Sequence, residues 1–183
     1  MRMRVGPLLL SSFVIMVGIQ LGSGLYEKQI VVPQWSSVPP EEVGAALKRS
    51  GQEDSALRFW AFVSPPVALL AVANTVAAWR TRGSPRRPWW LAASTIMVSY
   101  AIFSYGYFVP TMLRLWQADA MPAAEVASTV HWWVRLNDLR ALLGVSALLA
   151  ALKALSLPDE RAGSRAQAVR HGTRDGRREV PAA

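Results

Sequence analysis

The chain has 183 residues, one domain's worth, of which 52% are hydrophobic and only 17% charged, below the roughly 25% charged residues of soluble domains. The net charge of +8 does not indicate nucleic acid, because the arginines flank apolar blocks: Arg2 and Arg4 precede the first, Arg80, Arg82, Arg86 and Arg87 fill one short connection, and others run from Arg161 to Arg178. Cysteine is absent and the only histidines are His131 and His171, which excludes disulfides, iron–sulfur clusters, thiolate zinc sites and a bis-histidine haem inside a bundle.

Residues 5–25 carry no ionisable group, and at 1.5 Å per residue the block matches a hydrocarbon core of roughly 30 Å. It is the first predicted span. The short basic leader and the small residues Gly22, Ser23 and Gly24 also resemble a signal peptide, but the block is long for a signal core and further spans follow. Gly18 and Gly22 form a small-xxx-small pair expected to pack helices. The connection over residues 26–58 is predicted to be a loop with Pro33, Pro39 and Pro40 and one short amphipathic helix near residues 41–49.

The second predicted span covers residues 59–79, with Pro65 and Pro66 expected to kink it and Asn74 expected to bond to another helix. The third covers 89–110 and the fourth 136–157. Trp60, Trp79, Trp89, Trp90 and Tyr107 fall near span ends, as aromatic side chains do at membrane interfaces. Four basic residues crowd the connection 80–89, whereas Lys28, Lys48, Arg49 and Arg58 are spread over the long one, so the short connection is cytoplasmic. The expected fold is an all-α bundle of four transmembrane helices in the cell membrane, with N-terminus and C-terminus cytoplasmic. Residues 1–157 form the membrane domain and 158–183 a disordered Arg-rich tail.

Polar groups at membrane depth require partners, so they mark candidate sites. Trp133, Asn137, Arg140 and Gly144 follow i, i+4, i+7, i+11 spacing and share one stripe, with His131, Arg135 and Asp138 on a neighbouring one. Arg140 lies 13 residues before Lys153, about 20 Å of helix, near the outer boundary of the hydrocarbon. Glu27 is its expected partner, on a face with Gln20, Ser23 and Gly24; such a pair serves either as a structural pin or as part of a site. Tyr100, Ser104 and Tyr107, with Tyr105 beside them, place aromatic side chains at the same level.

The stretch HWWVRLNDLRALLG, residues 131–144, resembles the signature of the anthrone-oxygenase-like family of small four-helix membrane proteins, with Trp133, then Asn137, then Arg140. The segment YFVPTMLRL is similar to the family's third span, with Pro110 matching. GSGLYEKQIVVPQW looks like a subgroup carrying Tyr26, Glu27, Pro33 and Trp35. Thr111 and Met112 stand where many members carry paired asparagines. The resemblance covers most of residues 5–157. It implies a cofactor-free oxygenase that uses dioxygen on an aromatic, anthrone-like substrate entering from the lipid bilayer.

In that reading His131 or Glu27 is the base, Asn137 and Arg140 stabilise the developing anion, and Trp133 and Tyr107, with Tyr26 and Trp35, contact the flat substrate. The alternative is a non-enzymatic interaction or assembly protein that recruits a partner through residues 26–58; a small transporter, working as a homo-oligomer, is a third. A closed pocket between Glu27, Tyr107, Asn137 and Arg140 is expected of the enzyme, whereas a scaffold would fill that space with side chains.

Overall fold

Each apolar block is the middle of a longer helix in the computed structural model, which describes residues 5–158. Arg2, Arg4 and residues 159–183 of the predicted tail lie outside the described residues. Four helices are long and apolar enough to cross a bilayer: α1 (Gly6–Ser36), α3 (Gln52–Arg80), α4 (Arg87–Leu115) and α5 (Ala123–Ser156), with the short α2 (Val43–Ser50) between the first two. α1 packs on α3 and α5, and α4 packs on the same two, so the bundle closes as a ring in the order α1, α3, α4, α5.

At 29 to 34 residues, the four helices run about 44–51 Å, roughly 15–20 Å more than a hydrocarbon core of about 30 Å requires. The helices outrun the predicted spans: the connection at 26–58, expected to be a loop with one short helix, is almost entirely helical, and α5 begins at Ala123, ahead of the span expected over 136–157. An apolar average marks only the stretches whose outer face is apolar as well. At the far end the helices carry charge outward but bury an apolar stripe, so they continue as helices without an apolar average. The expected amphipathic helix is present as α2, and Gly51, at φ +70°, takes the left-handed conformation that ends α2 and turns the chain into α3.

Two cores divide the bundle along its length. The first, toward the arginine-bearing turn 81–86, joins Leu10, Phe13 and Val17 to Val67, Ala71, Met97 and the α5 alanines 147, 150, 151 and 154. Those alanines let the helices approach closely where association depends on packing. Asn74 is fully buried; its Oδ1 accepts a 2.8 Å hydrogen bond from Trp90 Nε1, which joins α3 to α4. Trp90 is thus a core residue and not an interface anchor, whereas Trp79 and Trp89 are exposed. Arg86 is buried and donates to the Leu157 carbonyl at the end of α5.

Gly18 and Gly22 face open space, contrary to the expected helix contact; the close approach is at Gly144, where an added Cβ would lie 3.2 Å from Leu21 and 3.7 Å from Tyr100. The second core occupies the projecting end. It gathers Trp35 from α1, Val43 and Leu47 from α2, Phe108, Met112 and Leu115 from α4, and Val126, Val130 and Trp133 from α5. α2 thereby forms a cap over the end of the bundle.

Candidate functional site

At the junction of the two cores, three of the four long helices depart from α-helical bonding at one level. Val32 N–H bonds back five residues to the Glu27 carbonyl, Ala61 to Ala56, and Val109 to Ser104. A π-turn of this kind adds one residue to the helical turn and rotates the side chains that follow. Pro33 and Pro110 lie just beyond two of these turns; a proline ring crowds the carbonyl four residues earlier, and the wider turn relieves that contact. The displaced residues Glu27, Trp60, Ser104 and Phe108 all face one space.

That space is a cavity of about 130 Å³ bounded by α1, α3, α4 and α5. Its wall is aromatic, from Trp60, Tyr100, Phe108, Trp116 and Trp133, and its polar groups come from Gln20, Glu27, Ser104 and Arg140. On the side between α3 and α4 it is bordered by Tyr105, Val109 and Leu113, whose side chains are exposed on the outer surface of the bundle. With i, i+4, i+8 spacing these three form one stripe, so the cavity opens sideways along α4.

Glu27 is the best-held polar group. It is 6% exposed, and its Oε1 accepts hydrogen bonds from Gln52 Nε2 at 2.6 Å, Trp60 Nε1 at 3.1 Å and Ser55 Oγ at 3.3 Å. Gln52 is oriented in turn by Trp35, which is fully buried and donates its indole N–H to Gln52 Oε1 at 3.1 Å. Trp35 meets Trp133 edge to face at 5.1 Å, and Trp133 meets Phe108 at 5.4 Å. A continuous chain of contacts therefore links the carboxyl to the aromatic wall.

Arg140 occupies the other side. Its Cζ sits 4.2 Å from the centre of the Phe108 ring, with Tyr100 and Trp133 at 5.8 and 6.0 Å, and its Nε donates to Asn137 Oδ1 at 3.0 Å. Cation–π contact of this kind replaces part of the hydration a partly buried guanidinium loses. The expected Arg140–Glu27 pair is not formed: Glu27 is satisfied by neutral donors of α3, and the ion pair that joins α1 to α5 is Lys28–Asp138. Opposite charges thus line one cavity without neutralising each other directly.

Four buried atoms on residues lining the cavity lack a hydrogen-bond partner within the protein: Gln20 Oε1, Ser104 Oγ, Trp116 Nε1 and Trp133 Nε1. Buried polar atoms are nearly always paired, so these four mark polar groups that the packing around the cavity leaves unmet. Among the described residues, no three His, Asp or Glu side chains converge to hold a metal.

The sequence-derived candidates separate into three groups. Glu27, Arg140 and Trp133 line the cavity. Asn137 and Trp35 are buried behind it and hold Arg140 and Gln52. His131, Tyr26 and Tyr107 lie elsewhere. His131 is exposed against Trp132, Tyr26 is 63% exposed beside an outer groove, and Tyr107 stacks on Phe103 over a separate groove with Thr111 and Trp132. The π-turn rotates Tyr107 off the stripe that straight α-helical spacing assigns to it. Gln52, Ser55 and Trp60 were missed because no local pattern ties residues 25 to 33 positions downstream to Glu27; Gln20, a lone amide in an apolar block, did carry a signal. Family models, curated proteins and solved structures yield no match to this chain.

Proposed function

We propose that this protein is a multi-pass enzyme of the cell membrane, with both termini cytoplasmic, that oxygenates an activated aromatic substrate of the anthrone type without a cofactor. The observation that carries the reading is the pairing of functions around one cavity: a buried carboxyl, Glu27, and a guanidinium, Arg140, reach the same aromatic-walled space from different helices and are not bonded to each other. The first suits proton abstraction, and the second suits an anion that develops on the substrate.

In this mechanism Glu27 takes a proton from the activated C–H, and the ring delocalises the resulting negative charge toward an oxygen facing Arg140. The carbanion gives its electrons to dioxygen and a C–O bond forms. The peroxide takes back the proton from Glu27; the second C–H and the O–O bond then break, water leaves and a ketone remains. One dioxygen is consumed and one water released per ketone. Glu27 and Trp60 also border the outer groove beside Tyr26, which offers the carboxyl a side from which protons exchange with solvent.

In the alternative, an interaction protein that recruits a partner through residues 26–58, the partner would meet the polar outer face of α2, since Val43, Ala46 and Leu47 are buried against the bundle. The test is oxygen uptake by the purified protein in nanodiscs supplied with anthrone. Uptake equal to ketone formed is expected, with kcat/KM lowered about 10²-fold by Glu27→Gln and by Arg140→Met. No uptake above a protein-free disc overturns the proposal.

A further inference from the structure

The size and polarity of the cavity narrow the ligand beyond its being aromatic. A volume of about 130 Å³ is close to that of an engineered apolar cavity of roughly 150 Å³ known to hold benzene. Such a space encloses one ring with its oxygen substituents, and the rest of a larger skeleton would have to extend through the side opening.

The polar lining is two-sided. Glu27 and Gln20 Oε1 accept, whereas Arg140 and the indole N–H groups of Trp116 and Trp133 donate. Gln20 and Trp133 are 4% and 3% exposed, so these groups are positioned inside the bundle rather than wetted at its surface. A ring with one hydroxyl to donate and a second oxygen to accept satisfies both sides. The aromatic wall supplies the faces on which it stacks.

The opening decides what else the ligand carries. Tyr105, Val109 and Leu113 are 46%, 45% and 48% exposed, and over eight residues they extend the cavity wall about 12 Å along α4. The deep end of the cavity sits low in the bundle: Tyr100 is 13 residues beyond Arg87, about 20 Å from the arginine-bearing end and inside a hydrocarbon core of about 30 Å. A substituent leaving the ring by this opening therefore follows α4 back past Tyr105, which at 18 residues beyond Arg87, about 27 Å, is where the stripe enters the acyl-chain region.

Resting on the reading of this cavity as a substrate site, we infer that its ligand is a membrane-dissolved single-ring hydroquinone whose apolar chain leaves between α3 and α4 along Tyr105, Val109 and Leu113. The ring enters sideways from the bilayer, its hydroxyl faces Glu27 and its second oxygen faces Arg140.

The experiment uses the full chain in nanodiscs and a decyl-hydroquinone with a photoreactive diazirine near the ring end of its chain. Labelling concentrated on residues 105–113 is expected, displaced by unlabelled decyl-hydroquinone and reduced on the order of tenfold, a loss of about 1.4 kcal/mol in binding, by Val109→Trp. That variant fills the opening from an exposed position and leaves both cores intact, and its thermal unfolding is measured alongside. Labelling that no competitor displaces and that spreads over other outward-facing residues such as Leu69, Leu142 and Leu149 overturns the inference, as does displacement by anthrone in preference to decyl-hydroquinone. Competed labelling without oxygen uptake supports this ligand class and refutes the oxygenase chemistry; oxygen uptake with anthrone but no competed labelling does the reverse.

Discussion

Replacing Gln52 by leucine isolates the network that holds the candidate base, and the structure sets the size of the effect. Gln52 is 3% exposed, donates to Glu27 at 2.6 Å and accepts from Trp35 at 3.1 Å. Leucine has similar bulk but makes neither bond. Loss of a hydrogen bond to a carboxylate costs about 1.5–3 kcal/mol, and a buried indole N–H left without an acceptor about 1–3 kcal/mol, so Gln52→Leu should cost about 2.5–6 kcal/mol. For a chain of this size that is a fall in Tm of roughly 5–24 °C. The assay is thermal unfolding in detergent, repeated for Trp35→Phe and the double variant. Because Trp35→Phe removes the stranded donor, the double variant should lose less than the sum of the two singles, with a coupling of about 1–2 kcal/mol. Unfolding of Gln52→Leu within 2 °C of the parent on that same scale, or strictly additive losses, would refute the account of Trp35, Gln52 and Glu27 as one network.

Gly144→Leu should destabilise the bundle by about 1–3 kcal/mol, because the site already has Leu21 3.2 Å from an added Cβ; reversible unfolding in detergent measures it. Asn74→Leu removes the Trp90 bond inside the membrane-level core and should cost about 0.6–1.7 kcal/mol, the range of such bonds between membrane helices. Asp138→Asn breaks an ion pair whose side chains are 30% and 55% exposed and should cost less than about 1 kcal/mol, diminishing further in high salt. Orientation is testable directly, since the chain has no native cysteine. In intact cells a membrane-impermeant maleimide should label Ala120→Cys, whereas Arg82→Cys should react only after permeabilisation; the opposite pattern inverts the topology.

That the chain is helical, with four helices long and apolar enough to cross a bilayer, was legible in its sequence, because residues 5–25, 59–79 and 89–110 are uninterrupted apolar runs and 136–157 is broken only by Asp138, Arg140 and Lys153 among charged residues. The stripe of Trp133, Asn137 and Arg140 was legible too, since α5 keeps regular spacing through it. What the tertiary structure alone decided is where those side chains meet others. Residues 26–58 read as loop because their outer faces are charged, yet they remain helical by burying Trp35, Val43 and Leu47 against α4 and α5, contacts that no local pattern records. Glu27 and Arg140 invite pairing by charge, but neutral donors from Gln52, Ser55 and Trp60 satisfy one and the Phe108 ring covers the other. The cavity itself depends on three π-turns brought to one level. A one-residue change of register is invisible to helical periodicity, and it is what turns Tyr107 away while Ser104 and Phe108 face inward.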